Sequence, residues 1–189
     1  MLFQHVAIAG LAHIDAPRRL TSDEIHARLR PTLDRLGIKS NILQDVAGVS
    51  ERRLWDGEMK ASDAATLAGV KALADAGIDA DRIGLLVNTS VSRDYLEPST
   101  ASIVAGNLRL GDECQNFDVA NACLAFLKAF SIDPTKVMTI FGEHGNIGPA
   151  SVPIVLSKLR EMGTLKKGNR IALLGIGSGL NCSMAEVVW

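Results

Sequence analysis

The chain has 189 residues and a formal net charge of −1, with an isoelectric point near 6.4; that is enough for one ordinary domain with a real core, and the lack of a basic stripe with interleaved aromatics argues against nucleic acid as a partner. Three cysteines with no C-x-x-C pair and no close Cys/His cluster argue against a disulfide scaffold or a metal site, and no amino-terminal apolar run follows basic residues, so the expectation is a cytoplasmic chain with reduced thiols. Hydrophobic residues make up 47%, yet no apolar run is long enough to span a membrane.

Phe3 to Leu11 is apolar and β-prone and predicts a strand. Asp23 to Leu36 has helical spacing behind Thr21 and Ser22, either of which suits an N-cap, and Pro31 inside it predicts a kink or break near Arg30. A second helix is expected over Asp63 to Ala76, with Ser62 as its cap and Gly77 at its end. Ile83 to Ser90 and Gln115 to Ala120 read as strands around a short helix at Ser99 to Leu108. Such continuous apolar runs suit a sheet covered on both faces. Pro149 to Met162 predicts a helix closed by Gly163, and Arg170 to Ile176 a strand turning through Gly177-Ser178-Gly179 into Asn181 to Trp189 as a hairpin. The pattern is α/β and layered, without linker, repeat or low-complexity segment.

Cys123 ends the run Cys114-Gln-Asn-Phe-Asp-Val-Ala-Asn-Ala-Cys123, where a strand-like segment gives way to a new apolar stretch, Leu124 to Phe130. At such a strand-to-helix turn the first helical N–H groups and the positive end of the helix dipole stabilise a thiolate, the form that acts as a nucleophile. On its own, a cysteine in this place equally suits a small buried hydrophobe.

Four segments make the pattern specific: Asn88-Thr-Ser-Val-Ser-Arg-Asp-Tyr-Leu-Glu97-Pro-Ser-Thr, Phe117-Asp-Val-Ala-Asn-Ala-Cys123-Leu-Ala-Phe, Gly142-Glu-His144-Gly-Asn146-Ile-Gly-Pro-Ala-Ser-Val-Pro and Gly175-Ile-Gly177-Ser178-Gly179-Leu. Together they resemble the thiolase superfamily, within it the 3-oxoacyl-acyl-carrier-protein synthase III group, and most closely its OleA branch. The resemblance implies a thiolase-like fold, a mixed sheet or sheets covered by helices. It also implies an acyltransferase that joins two fatty acyl-CoA molecules by Claisen condensation to a β-keto acid, on the route to olefins. It brings the expectation of a homodimer with acyl-CoA or acyl carrier protein as substrate partner, and of no cofactor and no metal.

By this resemblance Cys123 is the nucleophile that receives the first acyl group, and Ser178 supplies the backbone N–H that completes an oxyanion hole with that of Cys123. Gly177 and Gly179 let the backbone come close; read alone, the three residues are a tight turn. Asn146 holds the carbonyl of the second acyl group, although Gly145-Asn146-Ile-Gly148 by itself reads as a turn. Glu97 reaches across the dimer interface to remove the α-proton, which demands dry surroundings that raise its pKa. His144 reads as a structural loop histidine. Ala47-Gly48-Val49-Ser-Glu-Arg52-Arg53-Leu-Trp55 is similar to the region near the CoA or carrier-protein entrance, with Ala47 where the family has threonine. Arg52 and Arg53 suit phosphate and Trp55 suits adenine stacking, while a solvated turn with one anchoring aromatic fits the same residues.

The resemblance covers residues 1–126 and resumes over 127–189. Residues 1–126 match the amino-terminal half of the fold up to the nucleophile, and 127–189 the carboxy-terminal end of the second half. A stretch the size of a small domain, which in the family carries the catalytic histidine, is missing between Phe126 and Leu127. Three functional readings follow. The first is a condensing enzyme working through acyl-Cys123, the second a catalytically incomplete remnant or interaction fragment, and the third simple acyl transfer without condensation.

Overall fold

The computed structural model describes residues 7–90, 93–119, 138, 140–177 and 181–189. They fall into two compact units, one made of Met1–Ile14, Met59–Leu124 and Gly148–Trp189, the other of Asp15–Glu58 and Ala125–Ile147.

In the second unit, strand β1 (Arg18–Thr21) leads directly into helix α1 (Ser22–Arg35). Thr21 is the N-cap: its Oγ1 accepts from Glu24 N–H at 3.1 Å while Glu24 Oε2 accepts from Thr21 N–H at 2.8 Å, a reciprocal capping box. The expected break at Pro31 does not occur, and the helix runs through it. Pro31 offers no N–H to the carbonyl of Ala27, but Ala27 is exposed, so water reaches that carbonyl and the cost is contained. After a five-residue π-helical turn, Ile42–Val46, strand β2 (Glu51–Leu54) pairs antiparallel with β1, Arg19 opposite Arg53 and Thr21 opposite Glu51. Neither of these short, charged strands was expected. Arg19 Nε donates to both Glu51 oxygens at 2.9 Å, and Arg18 pairs with Asp56 at 2.7 Å, so charge complementarity stands in for apolar alternation. Helix α4 (Phe141–His144) closes the unit: Ser50 N–H and Oγ both donate to the Gly142 carbonyl at 2.8 Å.

In the first unit, helix α2 (Ala61–Ala76) starts two residues before the predicted one, and Ser62 lies inside its first turn rather than capping it. The donors there are satisfied from elsewhere. Asp63 Oδ2 accepts from Lys60 N–H at 3.0 Å, and Asp94, distant in sequence, accepts from Ala61 N–H at 3.0 Å and Ser62 N–H at 3.2 Å. Gly77, at φ 62°, ends the helix as predicted. Strand β3 (Leu85–Thr89), helix α3 (Thr100–Asn107) and strand β4 (Gln115–Val119) form a β-α-β unit with β3 and β4 parallel, Val87 opposite Phe117 and Asn88 opposite Asp118. Among the described residues Leu85, Val87 and Phe117 on one face of this strand pair are exposed. Helix α3 packs on the other face with Ala101 and Val104 buried.

Helix α5 (Ser151–Glu161) ends at Met162 with Gly163 at φ 65° behind it. Strands β5 (Arg170–Gly177) and β6 (Asn181–Val188) form the predicted antiparallel hairpin, Gly177 opposite Asn181. Among the described residues the strands form three two-stranded sheets, one parallel and two antiparallel. Residues 7–11 of the predicted first strand have no regular secondary structure, and 1–6 lie outside the described residues. Here the chain lies so close on α2 that a Cβ built on Gly10 falls 2.7 Å from the Ala72 carbonyl oxygen and from Ala76 Cβ. Extended, β-prone sequence becomes strand only where a neighbour completes its ladder, and among the described residues none does.

Candidate active site

Cys123, Ser178 and Gly179 lie outside the described residues; the elements that lead to them are in view. Strand β4 ends at Val119, four residues before Cys123, and its last inward side chain, Asp118, is a hub. Asp118 Oδ1 accepts from Asn88 Nδ2 on β3 at 2.9 Å and from Ala101 N–H at 2.8 Å, and Oδ2 accepts from Thr100 N–H at 3.0 Å. Burial by itself pushes the Asp118 carboxyl up, but the hydrogen bonds from Asn88, Ala101 and Thr100 outweigh it and hold the group below its ordinary value. One carboxylate therefore ties the strand leading to Cys123 to its neighbouring strand and to the start of α3. Gly177, paired with Asn181, is the last described residue of β5, and Ser178 and Gly179 follow it in sequence.

Asn146 belongs to the second unit, two residues past α4. His144 ends that helix with its side chain only 6% exposed, and its Nε2 lies 3.1 Å from Asp15 Oδ1. Gly145 is buried at φ 69°, a conformation that suits glycine alone, and Asn146 is exposed. His144 is thus a buried histidine with a carboxylate partner, in keeping with its structural reading.

Glu97 is exposed on the loop between β3 and α3, next to Leu96 at 86% exposure. The described residues of its own chain give it no dry pocket. The loop itself is anchored twice: Asp94 holds the first turn of α2, and Lys60 Nζ donates to Tyr95 Oη while lying 4.8 Å from the centre of the Tyr95 ring. Arg52 and Arg53 lie on β2 and Trp55 follows it, all half-buried, so the solvated-turn reading does not hold. Arg52 Nη1 and Arg53 Nε are buried without a hydrogen-bond partner among the described residues, a capacity for an anion.

A cleft of about 570 Å³ in the first unit is lined among others by Leu11, Lys71, Asp75, Arg160 and Glu161, none of them singled out as a site residue in the sequence. Its charges largely satisfy one another: Arg160 Nη2 donates to Asp75 Oδ1 at 2.6 Å and Lys71 Nζ lies 3.7 Å from Glu161. Among the described residues no group of three His, Cys, Asp or Glu is placed to hold a metal ion. Sequence reasoning missed Asp15, Asp94 and Asp118. Only Asp118 carried a local signal, as a charged residue inside a strand-forming segment.

The family model described as 3-oxoacyl-[acyl-carrier-protein] synthase III C terminal matches residues 120–189. The acyl-CoA:acyl-CoA alkyltransferase of Xanthomonas campestris pv. campestris is 43% identical in an alignment that covers all of this chain and all of that protein. The chain belongs to the 3-oxoacyl-[acyl-carrier-protein] synthase III family. Its α/β fold is the thiolase-like fold of that family: crystal structures of Xanthomonas campestris OleA and of a Xanthomonas oryzae 3-oxoacyl-(acyl carrier protein) synthase III match it with TM-scores of 0.96 and 0.95 at 44% and 43% identity, each covering both chains in full.

Two details of these matches bear on the synthase III site. The alignment with the Xanthomonas alkyltransferase runs over 338 positions against 189 residues here, so at least 149 positions, the difference between the two, face no residue of this chain. Correspondingly, a match to the Shewanella oneidensis alkyltransferase at 37% identity covers 67% of this chain and 36% of that protein. Solved variants of Xanthomonas campestris OleA alter a glutamate, a cysteine and a histidine. That glutamate and that cysteine are as far apart in sequence as Glu97 and Cys123, whereas the histidine lies farther beyond its cysteine than this chain continues past Cys123.

Proposed function

We propose that this synthase III family member is an acyl-thioester condensing enzyme of the OleA kind, working on acyl-CoA or acyl carrier protein without a cofactor. The observation that carries the reading is end-to-end 43% identity to an acyl-CoA:acyl-CoA alkyltransferase, together with the shared glutamate-to-cysteine spacing.

In this reading the Cys123 thiolate attacks the first thioester carbonyl. The tetrahedral oxyanion is held by the backbone N–H groups of Cys123 and Ser178, with Gly177 and Gly179 allowing close approach, and CoA leaves as its thiolate. Exchange of one thioester for another is nearly thermoneutral, so this half needs little beyond a low-pKa sulfur and the two donors. Glu97, in the dry interface of a homodimer, removes the α-proton of a second acyl thioester while Asn146 holds the enolate oxygen. The carbanion attacks the acyl-Cys123 carbonyl, the C–S bond breaks, and the β-ketoacyl product goes on by hydrolysis to a β-keto acid that enters olefin synthesis in the cytoplasm. The unpartnered Arg52 and Arg53 donors, with Trp55, receive the phosphate and adenine of CoA. Residues 1–126 and 127–189 correspond to the two flanks of the full family fold.

The alignment gap favours a second reading in one respect, because the histidine that would share the second acyl group with Asn146 has no counterpart at its expected spacing. A chain lacking it retains acylation and loses carbon–carbon bond formation, since only the latter needs enolate stabilisation. Intact-mass analysis after incubation with a long-chain acyl-CoA separates these cases. An adduct absent from Cys123→Ser, accompanied by a β-keto product, supports the condensing enzyme. An adduct without product reduces the activity to acyl transfer. No adduct on a compact protein leaves a catalytically incomplete remnant.

A further inference from the structure

We propose that His144, fixed by Asp15, is a positioning residue that sets the Gly145–Asn146 turn, and with it the direction in which Asn146 presents its carboxamide to the second acyl thioester. The inference rests on the role given to Asn146 above and adds the device that aims it.

Asp15 is an acceptor and His144 Nε2 lies 3.1 Å from its Oδ1, so the imidazole carries its proton on Nε2. His144 Nδ1 is buried and without a hydrogen-bond partner among the described residues, so the ring orientation is fixed by the Asp15 bond and by packing rather than by a second hydrogen bond. The backbone around the ring is held just as closely. His144 N–H donates to the Ile140 carbonyl at 3.0 Å, Gly145 N–H to the Phe141 carbonyl at 2.8 Å, and Ser50 grips the Gly142 carbonyl through both its N–H and its hydroxyl. Gly145 then leaves the helix at φ 69° and ψ −155° with the Arg52 side chain alongside it, 3.7 Å from where a Cβ would stand. Asn146 is the first exposed residue after this clamp. Its exit direction is thus set by a helix end that Asp15 and Ser50 hold from two sides.

The arrangement also explains why His144 is no stand-in for the family histidine. Its side chain is only 6% exposed and Nε2 is engaged, so it acts on Asn146 through the backbone and touches no reacting atom.

The test uses the whole protein labelled with ¹⁵N, with the variants His144→Gln, which keeps an N–H donor near the Nε2 position, His144→Phe, which fills the volume without a donor, and Asp15→Ala, which removes the acceptor from the more exposed side. The expected result is that the Gly145 backbone and Asn146 side-chain amide signals move in His144→Phe and Asp15→Ala and stay near wild type in His144→Gln. The Cys123 adduct should form in all three. Product formation from the second acyl group should fall on the order of 10- to 100-fold in the first two, as a misplaced binding group produces, and by less than about twofold in His144→Gln. Asn146 signals unmoved in Asp15→Ala would overturn the proposal, as would a loss of the Cys123 adduct equal to the loss of product. Failure of the wild-type protein to take up acyl at Cys123 overturns the proposed function itself, and with it the purpose assigned to the clamp, whatever the amide signals do.

Discussion

Replacing Asp118 by alanine strips the acceptor from three donors at once. Two of them are backbone N–H groups, Thr100 at 3.0 Å and Ala101 at 2.8 Å, in residues that are 1% and 0% exposed. A buried donor left unpaired costs about 1–3 kcal/mol, and the Ser99 cap, which accepts from Ser102 N–H, cannot reach either group. Allowing for partial relief by water, Asp118→Ala should lose about 2–4 kcal/mol locally. At 1.4 kcal/mol per factor of ten, that raises amide hydrogen exchange at Thr100 and Ala101 by roughly 30- to 700-fold. Asp118→Asn keeps one acceptor oxygen and should retain about half of the effect. The carboxyl lies below its ordinary value in the folded chain, so its contribution is complete above about pH 5 and disappears as pH falls below about 4 through the folded-state value. Protection at Ala101 in the wild type should therefore converge on that of Asp118→Ala in acid. Exchange at Thr100 and Ala101 changed by less than about threefold in Asp118→Ala, or a larger loss in asparagine than in alanine, would refute the idea that one carboxylate holds the start of α3 to the strand behind Cys123.

Two further perturbations probe the first unit. Gly10→Ala places a methyl 2.7 Å from the Ala72 carbonyl oxygen and Ala76 Cβ and should cost about 1–3 kcal/mol in urea denaturation; an unchanged midpoint would mean that residues 7–11 do not lie on α2 in solution. The Asp75 carboxyl is held at about 2 by its hydrogen bonds from Arg160 and from Leu11 N–H, so its stabilisation is complete above about pH 4 and lost as pH falls through 2. Asp75→Asn should flatten the decline in stability over that interval, and equal slopes for variant and wild type would remove the assignment.

Much of this protein could be read along the chain because the relevant forces are local. The start of α1 behind Thr21 or Ser22, the left-handed glycine after α2, the β-α-β unit from Leu85 to Val119 and the closing hairpin each declare themselves within a window of a few residues, through caps, φ preferences and apolar period. The family, too, was legible in short segments around Glu97, Cys123, Asn146 and Gly177, since chemistry fixes residue types at close spacing. What the sequence left hidden depends on partners distant in the chain. Segment 7–11 has strand composition but no described neighbour to complete a ladder, while the charged pieces at Arg18–Thr21 and Glu51–Leu54 become strands because each supplies the other's hydrogen bonds and opposite charge. Additional acceptors for the first N–H groups of α2 and α3 come from Asp94 and Asp118, and the fixing of His144 from Asp15, across 129 positions. A carboxylate gains such a role only when folding brings it within about 3 Å of donors that have no other acceptor. Tertiary structure therefore decided which acids anchor the elements around the proposed site, whereas the residues proposed to carry its chemistry were named from the sequence, because residue type and close spacing are local properties.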